Sequence, residues 1–265
     1  MESMAALLAN LTEYFRTHPA PTGRGTSLPE MNTPLVCGVC NGLGSVRRDV
    51  PYDHPNFGKV RPCPACYKPD FFRRCGVPLG HRQDSFSSFD LTVFRGAGGI
   101  LKTVQSLALG SSDFHLILLL GQTGVGKTHL LYAATLAACG RGIPARYITE
   151  AALLSDVKQH MDGEETPLGR MGYEAFWRAV QRWPFLCLDG MADTRLTDWG
   201  WAMLDELVDT RYTEGLPLIA ASNCSPDNLP PRMLSRFRDN RYSRLLWLDT
   251  SDYRLRFAGK EKAQT

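Results

Sequence analysis

Apolar positions along this chain follow two rhythms. Over residues 2–17, Met4, Leu7, Leu8, Leu11, Tyr14 and Phe15 recur at three- and four-residue spacing, which predicts an amphipathic helix. Its stripe suits a partner or the chain's own domain. Residues 18–34, HPAPTGRGTSLPEMNTP, hold four prolines and two glycines and read as a linker. From about Gly99 onward, short apolar runs alternate with helical stretches. The runs predict strands at Phe114–Leu120, Ala145–Thr149, Phe185–Leu188, Leu216–Ala221 and Arg244–Leu248. Such alternation implies βαβ units around a parallel five-stranded sheet, an α/β fold. No internal repeat is visible. The expected organisation is a helix (1–17), a linker (18–34), a cysteine-rich module (35–82), a connector (83–98), an α/β domain (99–250) and a tail (251–265).

Composition changes the picture modestly. A chain of 265 residues can build one α/β domain with a sizeable core plus a smaller module. Its net charge of +3 is uneven. Residues 45–82 carry eight Lys/Arg against three Asp, and residues 232–262 carry nine against four acids. Both segments suit phosphate groups, and both also suit a plain solvated face. The longest strongly apolar run, Leu116–Leu120, is far below the roughly 18 residues that span a bilayer. With Glu2 and Glu13 at the N-terminus, no secretory signal is read either. The expectation is a cytoplasmic protein without a membrane partner. In a reducing compartment, eight cysteines point to metal rather than to disulfides.

Four of them have the spacing for it. Cys37, Cys40, Cys63 and Cys66 form C-x2-C-x22-C-x2-C, in which each pair makes a tight turn presenting two sulfurs. Two such turns complete a tetrahedral Zn²⁺ site. A closed thiolate site is structural and helps fold a module too small for its own core. A redox CxxC is the competing reading, although no thioredoxin-like strand pattern surrounds either pair. Cys75, His54 and His81 are candidate substitute ligands, while Cys139, Cys187 and Cys224 read as small buried hydrophobes. The module's task stays open between nucleic acid, through cations such as Arg47, Arg48, Lys59 and Arg61, and protein docking.

The second candidate chemistry is phosphate binding. HLILLLGQTGVGKTHLL places G-x-x-x-x-G-K-T between an apolar strand and a helical stretch. Backbone amides of Gly121, Gln122, Thr123, Gly124, Val125 and Gly126 would cradle phosphates, Lys127 would offer a charge to the outer ones, and Thr128 a hydroxyl to Mg²⁺. The later strand FLCLD ends in Asp189, the expected magnesium-side carboxylate. The strand after it leads to Asn223, placed to meet a γ-phosphate or a water. PPRMLSRFRD then sets Arg232 and Arg236 four apart on one helix face.

From about Phe86 to Arg254 the chain resembles the AAA+ ATPases of the DnaC/DnaI replicative helicase-loader group, which share an ATPase core with the IstB transposition ATPases. SFSSFD, GQTGVGKTHL, ARYITEAALLSDVK, LCLDG, LDELVDTRYTEGLPLIAASNCSPDNLPPRMLSRF and DYR carry the resemblance. It implies ATP and Mg²⁺ as ligands, Lys127 and Thr128 as Walker A residues, Asp189 as Walker B, Asn223 as sensor 1 and Arg236 as an arginine finger acting on a neighbouring copy. It also implies a DnaB-like hexameric helicase and single-stranded DNA as partners, the N-terminal helix and zinc module gripping the helicase. Within 158–183, Arg170, Arg178 and Arg182 are the candidate DNA contacts. One departure stands out: members usually carry an acid beside the Walker B aspartate, and here Gly190 has no side chain to offer. Asp193 and Glu150 are the nearby replacements. Hydrolysis is therefore expected to be slow, with ATP acting largely as an assembly switch. The rival readings are an IstB-like transposition ATPase forming filaments on duplex DNA, a zinc-containing nucleotide-gated adaptor with negligible ATPase, and a small-molecule P-loop kinase.

Overall fold

The structure, a computed structural model, describes residues 45–47, 50–52, 54, 57, 60–62, 75–92, 96–163, 172–193 and 195–248. The helix expected over 2–17, the linker, the four paired cysteines Cys37, Cys40, Cys63 and Cys66, Arg170 and the tail lie outside these residues. Within the cysteine-rich segment, β1 (Ser45–Arg47) pairs antiparallel with β2 (Val60–Pro62). Ser45, shortly after Cys40, stands opposite Pro62, the residue before Cys63.

The larger unit runs α1 (Ala97–Ala108), β3 (Leu116–Gly121), α2 (Lys127–Gly140), β4 (Ala145–Thr149), α3 (Glu150–Met161), α4 (Tyr173–Gln181), β5 (Phe185–Asp189), α5 (Asp198–Glu214), β6 (Leu218–Ser222), α6 (Pro231–Arg238) and β7 (Ser243–Leu248). The five strands pair in parallel in the order β4-β5-β6-β3-β7. All five expected strands are present, with shifted ends. β6 begins at Leu218 because the Leu216 amide closes the end of α5 on the Arg211 carbonyl, and Pro217 has no amide to give the ladder. β3 begins at Leu116, since the His115 and Leu116 amides both turn to the Tyr242 carbonyl.

A central parallel strand is covered on both faces, hence unbroken apolar sequence. β3 follows that rule: Ile117 and Leu119 point to one side with α1 and α2, and Leu116, Leu118 and Leu120 to the other with α3–α6. The helix α2 is apolar around its circumference and accordingly buried along most of its length. Threonines cap two of the helices. Thr149 accepts from the Ala152 amide at the head of α3, and Thr197 from the Gly200 amide at the head of α5.

Residues 75–92 pack with this sheet rather than standing apart from it. The Cys75 carbonyl accepts from the Tyr147 amide at 2.7 Å along the outer edge of β4. Cys75, Val77 and Phe89 then enter the same core as α1 and α2. Cys75 is fully buried there. Among the described residues, no helix is long and apolar enough to cross a membrane.

Candidate functional site

In a parallel sheet with helices on both sides, ligands bind beyond the carboxyl ends of the strands. Here those ends frame a cleft of about 520 Å³, whose lining includes Lys127, Thr128, Asp189, Asp193 and Asn223. The loop from Gly121 to Gly126 joins β3 to α2. Gly126 adopts φ +99°, and a Cβ there would lie 2.8 Å from the Phe89 ring, so both conformation and packing require glycine.

Lys127 is buried and its ammonium turns back into the loop. Nζ donates to the carbonyls of Gly121 at 2.6 Å and Gln122 at 2.8 Å, and to Asn223 Oδ1 at 2.6 Å. Thr128, Asp189 and Tyr147 form a second group. The Thr128 hydroxyl and the Tyr147 phenol each donate to Asp189 Oδ2 at 2.8 Å. The Gly190 amide donates to Asp189 Oδ1 at 3.0 Å. Burial, with the Asp189 charge adding to it, raises the Tyr147 pKa and keeps the phenol a donor. A hydroxyl converging on a carboxylate at the mouth of a phosphate-type loop is an all-oxygen donor set that fits Mg²⁺. Among the described residues, no group of three or more His, Cys, Asp or Glu is placed to hold a metal alone.

The stretch after β5 explains Gly190. This residue has φ +71° and Ala192 has φ +61°. Two left-handed residues fold the chain sharply back, and the Asp193 amide closes the turn on the Gly190 carbonyl at 3.1 Å. Asp193 thereby returns to the cleft. Its carboxylate oxygen lies 3.7 Å from where a Cβ on Gly190 would stand. It accepts from the Asn223 amide at 2.5 Å, from Asn223 Nδ2, and from the Ser222 hydroxyl at 3.3 Å. A continuous chain, Lys127 to Asn223 to Asp193, crosses the cleft. Glu150 is almost fully buried and accepts from the Ala192 amide, so it secures the turn as well as lining the cleft.

Two further features were not foreseen. Tyr147, the third residue of β4, bonds Asp189, and only the registration of β4 beside β5 brings them together. His81 and Tyr132 also line the cleft, their rings 4.9 Å apart, so His81 is built into this site. Arg236 does not line the cleft; it bonds Asp209 at 2.9 Å and lies over the Tyr212 ring at 4.7 Å. Arg232 bonds Asp205 and Asp209. Of the candidate DNA contacts, Arg182 is paired with Glu214 at 2.6 Å. Cys139 and Cys187 are buried in the core as expected, and Cys224 is half-buried.

Residues 77–225, more than half of the chain, match the family described as IstB-like ATP binding protein. No curated protein matches the chain. Among solved structures it is similar to the DnaC helicase loader, with TM-score 0.55 and 20% identity over 65% of this chain and 100% of that one. It is also similar to DnaI, with TM-score 0.53 and 18% identity over 66% of this chain and 93% of that one. The replication initiator DnaA bound to AMPPCP and single-stranded DNA aligns with TM-score 0.54 and 21% identity, over 69% of this chain and 55% of that one. These likenesses establish the AAA+ P-loop ATPase fold. With the phosphate-type loop, the sheet order and the sequence match in agreement, the chain belongs to the IstB-like ATP binding protein family.

Proposed function

We propose that this chain is an ATP-dependent loader that grips a DnaB-like hexameric replicative helicase and places it on single-stranded DNA, ATP acting largely as an assembly switch. The observation that carries the reading is the polar chain from Lys127 through Asn223 to Asp193, set beside the Thr128 and Asp189 pair. Loop amides and Lys127 take the phosphates. Thr128 and Asp189 would hold Mg²⁺, whose charge would offset that of the phosphates. When phosphate draws on Lys127, the hydrogen bond to Asn223 weakens, and Asn223 and Asp193 gain freedom to move toward the outer phosphate.

Asp193, as a carboxylate, is the general base for the attacking water in place of the side chain that Gly190 lacks. It is shorter than a glutamate and is held by Asn223 and Ser222, so turnover is slow and binding outlasts it. Arg236, located off its own chain's cleft, serves the nucleotide of a second copy. Cys37, Cys40, Cys63 and Cys66 hold Zn²⁺, a reading supported by the β1–β2 pairing, which draws together the segments adjoining Cys40 and Cys63. In the loop of that hairpin the exposed rings of Tyr52 and Phe57 stand 5.0 Å apart, a surface suited to docking the helicase. Support for the loading role comes from the fold shared with the DnaC helicase loader and DnaI.

The family description favours a second reading, an IstB-like transposition ATPase assembling on duplex DNA. One experiment separates them. The chain is mixed with a hexameric replicative helicase, circular single-stranded DNA and ATP, and helicase retained on the circle is measured after a wash. The loader reading expects ATP-dependent retention that Lys127→Ala abolishes. No retention, together with ATP-dependent coating of duplex DNA in the absence of helicase, would favour the second reading.

A further inference from the structure

Arg236, in the last turn of α6, has a side chain too well held for an ordinary surface arginine. A guanidinium has two edges for paired hydrogen bonds, the side formed by Nε and one terminal nitrogen, and the end formed by the two terminal nitrogens. Asp209 Oδ1 occupies the side edge, with Nε at 2.9 Å and Nη2 at 2.8 Å. The Tyr212 ring supports one face at 4.7 Å. That ring is anchored in turn, since its hydroxyl donates to Asp239 Oδ2 at 2.6 Å. Among the described residues, Nη1 of Arg236 has no partner, so the end edge remains for an outside anion. The second oxygen of Asp209 accepts from Arg232 at 2.7 Å, and Arg232 also meets Asp205 at 3.2 Å.

Ion pairs this exposed contribute little to stability. Their consequence is order: an arginine otherwise free about several torsions is fixed in edge, face and direction. We propose that Asp209 is a positioning residue, holding Arg236 side-on so that its end edge faces the terminal phosphate of a nucleotide bound by a second copy of this chain. This rests on the reading of Arg236 as a group acting on a neighbouring copy. Asp209 touches neither nucleotide nor water itself. It acts by holding the arginine in the orientation a developing phosphate charge requires.

The test uses full-length protein at a concentration saturating for turnover. Lys127→Ala and Arg236→Ala are first assayed alone and mixed. Mixing restores turnover when the arginine of one copy serves the nucleotide of another. Asp209→Ala then lowers kcat about tenfold, the scale of a misplaced catalytic group. KM for ATP stays within about twofold, because the nucleotide is held by Lys127, Thr128 and Asp189 of the other copy. Asp209→Glu recovers part of the loss, and thermal midpoints are unchanged. Glu214→Ala, which breaks a different ion pair on α5, leaves kcat as in the wild type. Restored turnover on mixing with wild-type kcat in Asp209→Ala overturns the positioning role alone. No restoration on mixing, or no turnover in the wild type, overturns the reading of Arg236 and this proposal with it.

Discussion

Arg211 shows how much one side chain can hold. It is fully buried in α5, and its guanidinium donates to the carbonyls of Gln181 at 2.9 Å, Trp183 at 2.8 Å and Pro217 at 2.5 Å. One cation thus ties the end of α4, the entry to β5 and the entry to β6. Burial lowers its pKa to about 9, so it is still charged at neutral pH. Arg211→Met keeps an apolar stem but leaves buried carbonyls short of a donor, each at about 1–3 kcal/mol. Urea unfolding should therefore show a loss of about 3 kcal/mol or more, and a loss below about 1 kcal/mol would contradict this role. Nothing in the sequence around Arg211 announces it, because its partners are distant carbonyls. Lys127, Thr128 and Asp189 were legible, since a phosphate loop and a strand-ending acid are local patterns. Asp193 was visible as a nearby acid, but its return to the cleft depends on left-handed backbone at Gly190 and Ala192. The same geometry makes Gly190→Glu a strained substitution rather than a simple restoration of an acid.

Elements built from buried apolar runs were readable as strands, because continuous burial leaves continuous hydrophobicity. Their ends were less so, being decided by Pro217 and by shared carbonyls such as that of Tyr242. The strap at 75–92 was read as module and connector, since its anchors Cys75, Val77 and Phe89 are isolated apolar residues in a polar stretch without period. His115 marks another joint. It lies before β3, donating its amide to Tyr242 and accepting from the Leu218 amide, and so joins β3 to β6 and β7 at their start. Its Nε2 faces the Tyr212 carbonyl at 3.1 Å and must carry the proton there. Burial holds its pKa below the usual histidine value. The unfolded chain takes up a proton near pH 6.5 that the folded chain refuses, so stability is full above that pH and falls as pH drops through and below it. Thermal midpoints between pH 7.5 and pH 5.5 should show this fall, reduced in His115→Gln; an identical profile in the variant would exclude the histidine.

At the scale of the molecule, the parallel sheet collects groups that are far apart in sequence at one rim. β3 ends in the phosphate-type loop, β5 in Asp189, and β6 delivers Asn223. Alternation of strand and helix made that arrangement legible, and the family match agrees with it. Arg236 lies off its own chain's cleft, and in the proposed assembly a neighbour supplies it. The proposed zinc site has its own check. Purified protein should carry about one zinc per chain, lost on Cys63→Ser, and metal-free wild-type protein would remove the site.

The most direct test of the account is ATP turnover and ATP affinity measured together for wild type, Asp193→Asn and Lys127→Ala. The account predicts slow turnover in the wild type, a fall in kcat of about 10²-fold or more in Asp193→Asn with affinity nearly unchanged, and loss of binding in Lys127→Ala. Turnover in Asp193→Asn equal to that of the wild type would contradict it, and the water would then be activated by some other group.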